Sequence, residues 1–326
     1  MTTASGPGGP MIETRGLSRT FKTRKSTVEA VRGVDLTVGA GEIFGFLGPN
    51  GAGKTTTLRM LATLLVPTGG QATVAGVDLL KQPQEVRRRI GYVPQGGSTD
   101  PAETGRGELV IQGRLYGMDK ATAVRRANEV LDVLDLTAAA DRPTATYSGG
   151  MRRRLDVGLG IVHQPSVLFL DEPTTGLDPQ ARARMWDEIR ALREQGTTVF
   201  LTTHHLEEAD ALADRLAIID HGLIVAEGTA DELKRQVAGD VVTLGIDGDQ
   251  DRALETIRGQ SFVREASAED GLIRMYVDQG DSAVPELIRA LDSAGLRAQT
   301  LTLARPSLDD VFLRQTGRSL REEPAA

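Results

Sequence analysis

The chain has 326 residues, 40% apolar and 25% charged, a composition that excludes wholesale disorder and suffices for one large and one smaller core. Its 45 acidic against 38 basic side chains leave a net charge of −7, which argues against a generally cationic nucleic-acid binder. With no cysteine, disulfides, thiolate zinc sites and cysteine nucleophiles are all excluded.

Residues 1–10, rich in Gly, Pro and Thr, read as a disordered lead-in. They lack the basic and apolar regions of a signal peptide, so the protein is expected to stay where it is made. From Met11 to about Glu227, apolar strand-like runs alternate with helix-period segments, the pattern of a layered α/β domain with a mainly parallel sheet. Ile12–Thr14, Val28–Val38 and Gln71–Val77 predict an antiparallel side sheet. Buried strands are predicted at Glu42–Leu47, Ser166–Asp171, Thr197–Thr203 and Leu216–Asp220. Helices are predicted at Lys54–Leu65, Ala121–Leu134, Met151–Val162, Pro179–Glu194 and Leu206–Leu212. His221–Gly222 should turn a hairpin. No apolar run approaches the ~20 residues needed to cross a bilayer.

Thr229-Ala-Asp-Glu232 has capping-box spacing and opens a short helix, and Ala238–Gly239 is the expected domain boundary. Residues 11–238 and 239–317 are thus expected to form two domains, followed by a polar tail at 318–326. In the second, the order strand (Val241–Ile246), helix (Arg252–Arg258), strand (Phe262–Glu265), strand (Leu272–Val277), helix (Val284–Ala294), strand (Ala298–Leu303) predicts a small α+β sandwich of βαββαβ type. Leu308–Thr316 adds a closing helix, with Ser307 as its cap.

Chemistry concentrates in two places. Gly48-Pro49-Asn50-Gly51-Ala52-Gly53-Lys54-Thr55 satisfies G-x-x-x-x-G-K-[ST] between a predicted strand and a predicted helix. Glycines there let backbone N–H groups turn around a phosphate while the helix N-terminus adds positive potential. Lys54 would span the β- and γ-phosphates, with Thr56 beside it and the Thr55 hydroxyl on Mg²⁺. Further on, Val167-Leu-Phe-Leu-Asp171-Glu172-Pro173 is an apolar strand ending in two carboxylates. In a parallel sheet both sites open at the carboxyl ends of the strands, so Asp171 is expected to hold Mg²⁺ and Glu172 to polarise the attacking water.

Tyr147-Ser148-Gly149-Gly150-Met151 precedes a helix about twenty residues before that strand. With the phosphate loop, it resembles the nucleotide-binding subunit of ATP-binding cassette (ABC) transporters, whose signature is LSGGQ; Tyr147 and Met151 depart at its two ends. The resemblance covers about residues 11–237 and implies an α/β P-loop NTPase domain with an antiparallel β subdomain and a helical subdomain. It further implies that Gln95, in Tyr92-Val-Pro-Gln95, senses Mg²⁺ and couples to a membrane partner. Asp178, in Gly176-Leu177-Asp178, would sit in the loop crossing between subunits. His204 would contact the γ-phosphate, His205 would be structural, and Phe21 would stack on adenine. By the same logic two copies sandwich ATP: Lys54, Thr55, Gln95, Asp171, Glu172 and His204 serve from one, Ser148, Gly149 and Gly150 from the other.

Tyr147–Asp156 and Arg305-Pro-Ser-Leu-Asp-Asp-Val-Phe-Leu313 also resemble the daunorubicin/doxorubicin-resistance subgroup. That resemblance implies an ATPase at the cytoplasmic face of the cell membrane, powering export of a drug or other hydrophobic compound through a separate permease. Thr104-Gly-Arg106 would face that partner. Two alternatives are a soluble cassette ATPase that remodels a macromolecule and an exporter of lipid or polysaccharide. The second domain would serve dimerisation or regulation, and Arg152–Arg154 read as a solvated helix face.

Overall fold

The computed structural model describes residues 9–22, 26–236, 239–247, 249–269 and 271–317. Most of the lead-in, Ala238 of the expected boundary and the tail 318–326 lie outside the described residues. Two compact units divide between Ala230 and Asp231.

The first unit runs β1 (Ile12–Lys22), β2 (Thr27–Val38), β3 (Ile43–Leu47), α1 (Lys54–Leu61), β4 (Gly69–Val74), β5 (Val77–Asp78), α2 (Pro83–Arg89) and β6 (Ile90–Val93). It continues with α3 (Gly105–Leu115), α4 (Lys120–Val133), α5 (Gly149–Ile161), β7 (Val167–Asp171), α6 (Pro179–Glu194), β8 (Thr198–Thr203), α7 (Leu206–Leu212), β9 (Arg215–Asp220) and β10 (Leu223–Gly228). The central sheet has the order β10-β9-β3-β8-β7-β6, parallel except for the edge strand β10. His221 and Gly222, at φ 46° and 79°, make the two-residue turn into β10. A second, antiparallel sheet, β2-β1-β4-β5, supplies the predicted side sheet.

Strand alternation divides the central sheet's side chains between two cores. Phe44, Phe46, Phe169 and Phe200 join the side sheet and α1 on one face. Ile43, Leu168, Leu170, Val199 and Leu201 join α4, α5 and α6 on the other. Phe200 meets the other three aromatic rings at 5.5–5.8 Å between centroids. Helix α1 is four residues shorter than the leucine spacing predicts. Thr63 has φ 62°, and the N–H groups of Leu64 and Leu65 both turn back to the Arg59 carbonyl, which closes the helix. Leu64 accordingly points outward and is 58% exposed.

The second unit contains most of α8 (Ala230–Gln236), then β11 (Asp240–Asp247), α9 (Gln250–Arg258), β12 (Val263–Glu269), β13 (Leu272–Val277), α10 (Gly280–Ser293), β14 (Arg297–Ala304) and α11 (Leu308–Thr316). Its sheet, β12-β13-β11-β14, is antiparallel throughout, and Ala253, Ile257, Leu287 and Leu291 of α9 and α10 pack on its apolar residues. The expected βαββαβ order is present. Ser307 caps α11 in a capping box with Asp310, which also accepts from Arg274 and, at 3.2 Å, from the Tyr276 hydroxyl. Among the described residues no helix is long and apolar enough to cross a membrane.

Candidate functional site

Four neighbouring parallel strands, β3, β8, β7 and β6, end along one rim of the central sheet and release Gly48, His204, Glu172 and Gln95 there. The phosphate loop needs its glycines. A Cβ at Gly48 would lie 2.2 Å from the Ile219 carbonyl oxygen, and one at Gly53 (φ 108°) 2.4 Å from that of Ala30. Asn50 and Gly51 form the exposed crest, while Pro49 and Ala52 are buried and Thr56 is half-buried. Lys54 is buried, and its Nζ donates to the carbonyls of Gly48 (2.7 Å) and Pro49 (2.9 Å) and lies 3.7 Å from Glu172 Oε1.

Asp171 is fully buried. Its Oδ1 accepts from the hydroxyls of Thr55 (2.9 Å) and Thr202 (2.8 Å), while Oδ2 has no hydrogen-bond partner among the described residues. Glu172 is 6% exposed and has φ 47°, a left-handed backbone unusual for a residue with a Cβ. Its N–H donates to the carbonyl and hydroxyl of Thr202. Its Oε2 accepts from Gln95 Nε2 (2.8 Å) and Thr175 Oγ1 (3.1 Å) and lies 3.1 Å from His204 Nδ1. Burial pushes its pKa up, but His204, Lys54 and Thr175 together outweigh that and hold it below the usual glutamate value. The His205 ring lies against that of His204, tilted by 40° with centroids 4.1 Å apart, and its pKa is held below the usual histidine value by burial first and by His204 second.

A buried carboxylate oxygen without a partner, beside a threonine hydroxyl, fits a hard divalent cation such as Mg²⁺. Among the described residues no cluster of three or more His, Asp or Glu could hold a metal unaided, so such an ion would also need oxygens from the nucleotide. Gln95, expected beside the ion, is engaged with Glu172.

Ser148 caps α5 through the N–H of Met151 (3.2 Å), and Asp178 caps α6 through that of Ala181 (2.8 Å). Ser148, Gly149, Gly150, Gly176, Leu177 and Asp178 share a cavity of about 270 Å³ that no phosphate-loop residue lines. The unusual Tyr147 is buried, its hydroxyl donating to the Ala139 carbonyl at 2.8 Å. Phe21 pairs with Val28 on β1–β2, is 37% exposed and carries the Arg19 guanidinium 4.8 Å from its ring centre.

Of the solvated face expected at Arg152–Arg154, only Arg152 is exposed; Arg154 is 14% exposed and donates to the Leu134 carbonyl at 2.7 Å, and Arg153 overturns the expectation most fully. Arg153 is 7% exposed and turns inward, donating to the carbonyls of Pro173 (2.7 Å), Pro94 (2.6 Å), Asp171 (3.0 Å) and Glu172 (3.2 Å). Its signal was helical register: Arg153, Asp156, Val157 and Gly160 share one buried face of α5. Also unforeseen is Glu208, buried on α7 and bonded to Thr174 (2.7 Å) and Trp186 (3.3 Å). Its pKa is raised by burial, despite those bonds.

Comparison with known proteins places the chain in a family. The family model described as ABC transporter matches residues 31–175, and the model for the C-terminal domain of DrrA1-3-like ATP-binding proteins matches residues 228–316. The daunorubicin/doxorubicin resistance ATP-binding protein DrrA of Streptomyces peucetius is 48% identical, over 94% of this chain and 92% of that protein. The doxorubicin resistance ATP-binding protein DrrA of Mycobacterium tuberculosis H37Rv is 42% identical over 94% and 93%. The Nod factor export ATP-binding protein I of Ralstonia nicotianae is 40% identical over 97% and 98%. Among solved structures, an ATP-binding subunit of an ABC transporter superposes with TM-score 0.62 at 27% identity, covering 69% of this chain and 92% of that one.

Proposed function

The chain belongs to the ABC transporter family of ATPases, and from that premise we propose that it powers export of a drug or other hydrophobic compound through a separate membrane subunit. The observation that carries the motor assignment is the setting of Glu172. One buried carboxylate, kept ionised, meets Gln95, His204 and Lys54 at a single rim of the sheet. The cargo class rests on the resistance proteins that this chain resembles across both units. The relative named for Nod factor export favours a second reading, in which the exported compound is not an antibiotic.

In this reading Lys54 and the phosphate-loop N–H groups hold the β- and γ-phosphates. Thr55 and Asp171 would hold Mg²⁺, which would supply charge neutralisation to the phosphate oxygens. Glu172, oriented by Gln95 and Thr175, accepts a proton from the attacking water. His204, 3.1 Å from that carboxylate, meets the γ-phosphate. The cavity at Ser148–Gly150 takes the γ-phosphate bound by a second copy, because the chain's own phosphate loop does not line it. The working species is then a head-to-tail homodimer with two ATP molecules, on the cytoplasmic face of the membrane beside its permease.

Glu172→Gln tests this. Hydrolysis should slow by roughly 10²–10⁴-fold with ATP binding retained, and light scattering should show a dimer that forms only with Mg-ATP. A variant that remains monomeric in saturating Mg-ATP would overturn the sandwich, and one that hydrolyses normally would remove Glu172 as the base.

A further inference from the structure

The signature helix α5 grips the segment around Gln95 from both sides. Asp156 accepts from the N–H (2.8 Å) and hydroxyl (3.1 Å) of Ser98, and Arg153, one turn earlier, holds the carbonyl of Pro94. The same guanidinium binds three successive carbonyls at the end of β7, those of Asp171, Glu172 and Pro173. Glu172 is thus fixed at its N–H by Thr202 and at its carbonyl by Arg153, in a left-handed conformation that is costly for a residue with a Cβ. A planar fork with five donors can satisfy four carbonyls at once, which the single point charge of a lysine cannot.

We propose that Arg153 is a positioning residue that locks Glu172 and Gln95 to the signature helix, so that a shift of α5 changes the geometry of the carboxylate that activates water. It touches no reacting atom and acts through the backbone of Glu172 and Pro94. The inference rests on the sandwich reading in one respect. If Ser148–Gly150 at the start of α5 contact ATP held by the partner, Arg153 on the same helix carries that contact to its own protomer's Glu172. ATP at one site then sets the catalytic geometry of the other.

The test compares Arg153→Met, which removes the fork, and Arg153→Lys, which keeps the charge, in the full-length protein. Arg126→Met is the structural control, because Arg126 also donates to carbonyls of α5 and its C-terminal end (Ile161 and Val162), away from the site. In Arg153→Met, kcat should fall by about 10²-fold while KM for ATP changes by less than about threefold. Arg153→Lys should recover part of the loss, and Arg126→Met should lower the melting temperature without that loss of kcat. A kcat for Arg153→Met within threefold of the parent, or an equal loss in Arg126→Met, would overturn the positioning role. The Hill coefficient for ATP should approach about 2 in the parent and fall toward 1 in Arg153→Met. If both variants and parent are equally cooperative, or the parent is not cooperative at all, the link between sites is wrong. Failure of the Glu172→Gln dimer would instead refute the sandwich, leaving the kcat and KM comparison to judge Arg153 by itself.

Discussion

At the scale of single residues, the site depends on a few charges whose surroundings decide what they can do. Lys54 reaches over its own loop, where an alanine would leave the β- and γ-phosphates without a fixed cation. Lys54→Ala should lower phosphate release at saturating ATP by about 10²–10³-fold or more, and titration with a fluorescent ATP analogue should show weaker binding. Normal turnover in that variant would remove Lys54 from the site. Lys54, Asp171 and Glu172 were legible in the sequence because each lies within a few residues of the glycines or apolar strand that give it meaning. Arg153 was not. Three consecutive arginines look like a charged surface, and only the tertiary position of four carbonyls from two distant segments makes the middle one a buried ligand.

At the scale of elements, helices α5 and α6 meet through a carboxylate in an expensive place. Glu188 Oε1 lies 3.9 Å from Arg154, while Oε2 is buried without a partner among the described residues. Burial, only partly opposed by Arg154, pushes its pKa from 4.5 up to about 7. As pH rises between those values the unfolded chain releases a proton that the folded protein still holds, so stability falls; above about 7 both states are ionised and the penalty is constant. The contribution of Glu188 to stability should therefore decline between about pH 5 and about pH 7, and the melting temperature of Glu188→Gln relative to the parent should rise across that range, by the equivalent of about 1–2 kcal/mol. An unchanged pH profile in the variant would show that Glu188 ionises normally. Elements with strong apolar periods or caps were legible, among them α6 with Asp178 and Pro179 at its start, and β13 between flanking polar residues. The overlong α1 shows the limit of periodicity, since the leucine spacing continues past the point where Thr63 turns the chain. Helix α3 carries three glycines and β6 only four residues, too weak a local pattern for either to stand out; packing makes them.

For the whole molecule, the proposed function calls for more than one copy, because the cavity at Ser148–Gly150 and the phosphate loop are separate features of one chain. The rate of hydrolysis per protomer should fall as the protein is diluted below its dimerisation constant, measured at fixed saturating Mg-ATP. A rate independent of concentration, from a particle that scattering shows to be monomeric, would contradict the account. Local patterns revealed the strand–helix alternation, but not the strand order, since β3 lies between β8 and β9, more than 150 residues later in sequence. That order places four sequence-distant strand ends on one rim, and it also brings the tip of the β9–β10 hairpin under the phosphate loop. Gly222 donates its N–H to the Ala52 carbonyl and accepts from the N–H of Arg32 on β2, both at 2.9 Å. The main chain of this one residue therefore ties the phosphate loop to the sheet that bears Phe21. Under the proposed function, with Phe21 as the platform for the base, that main-chain tie would act on the length of the ligand as a fixed caliper.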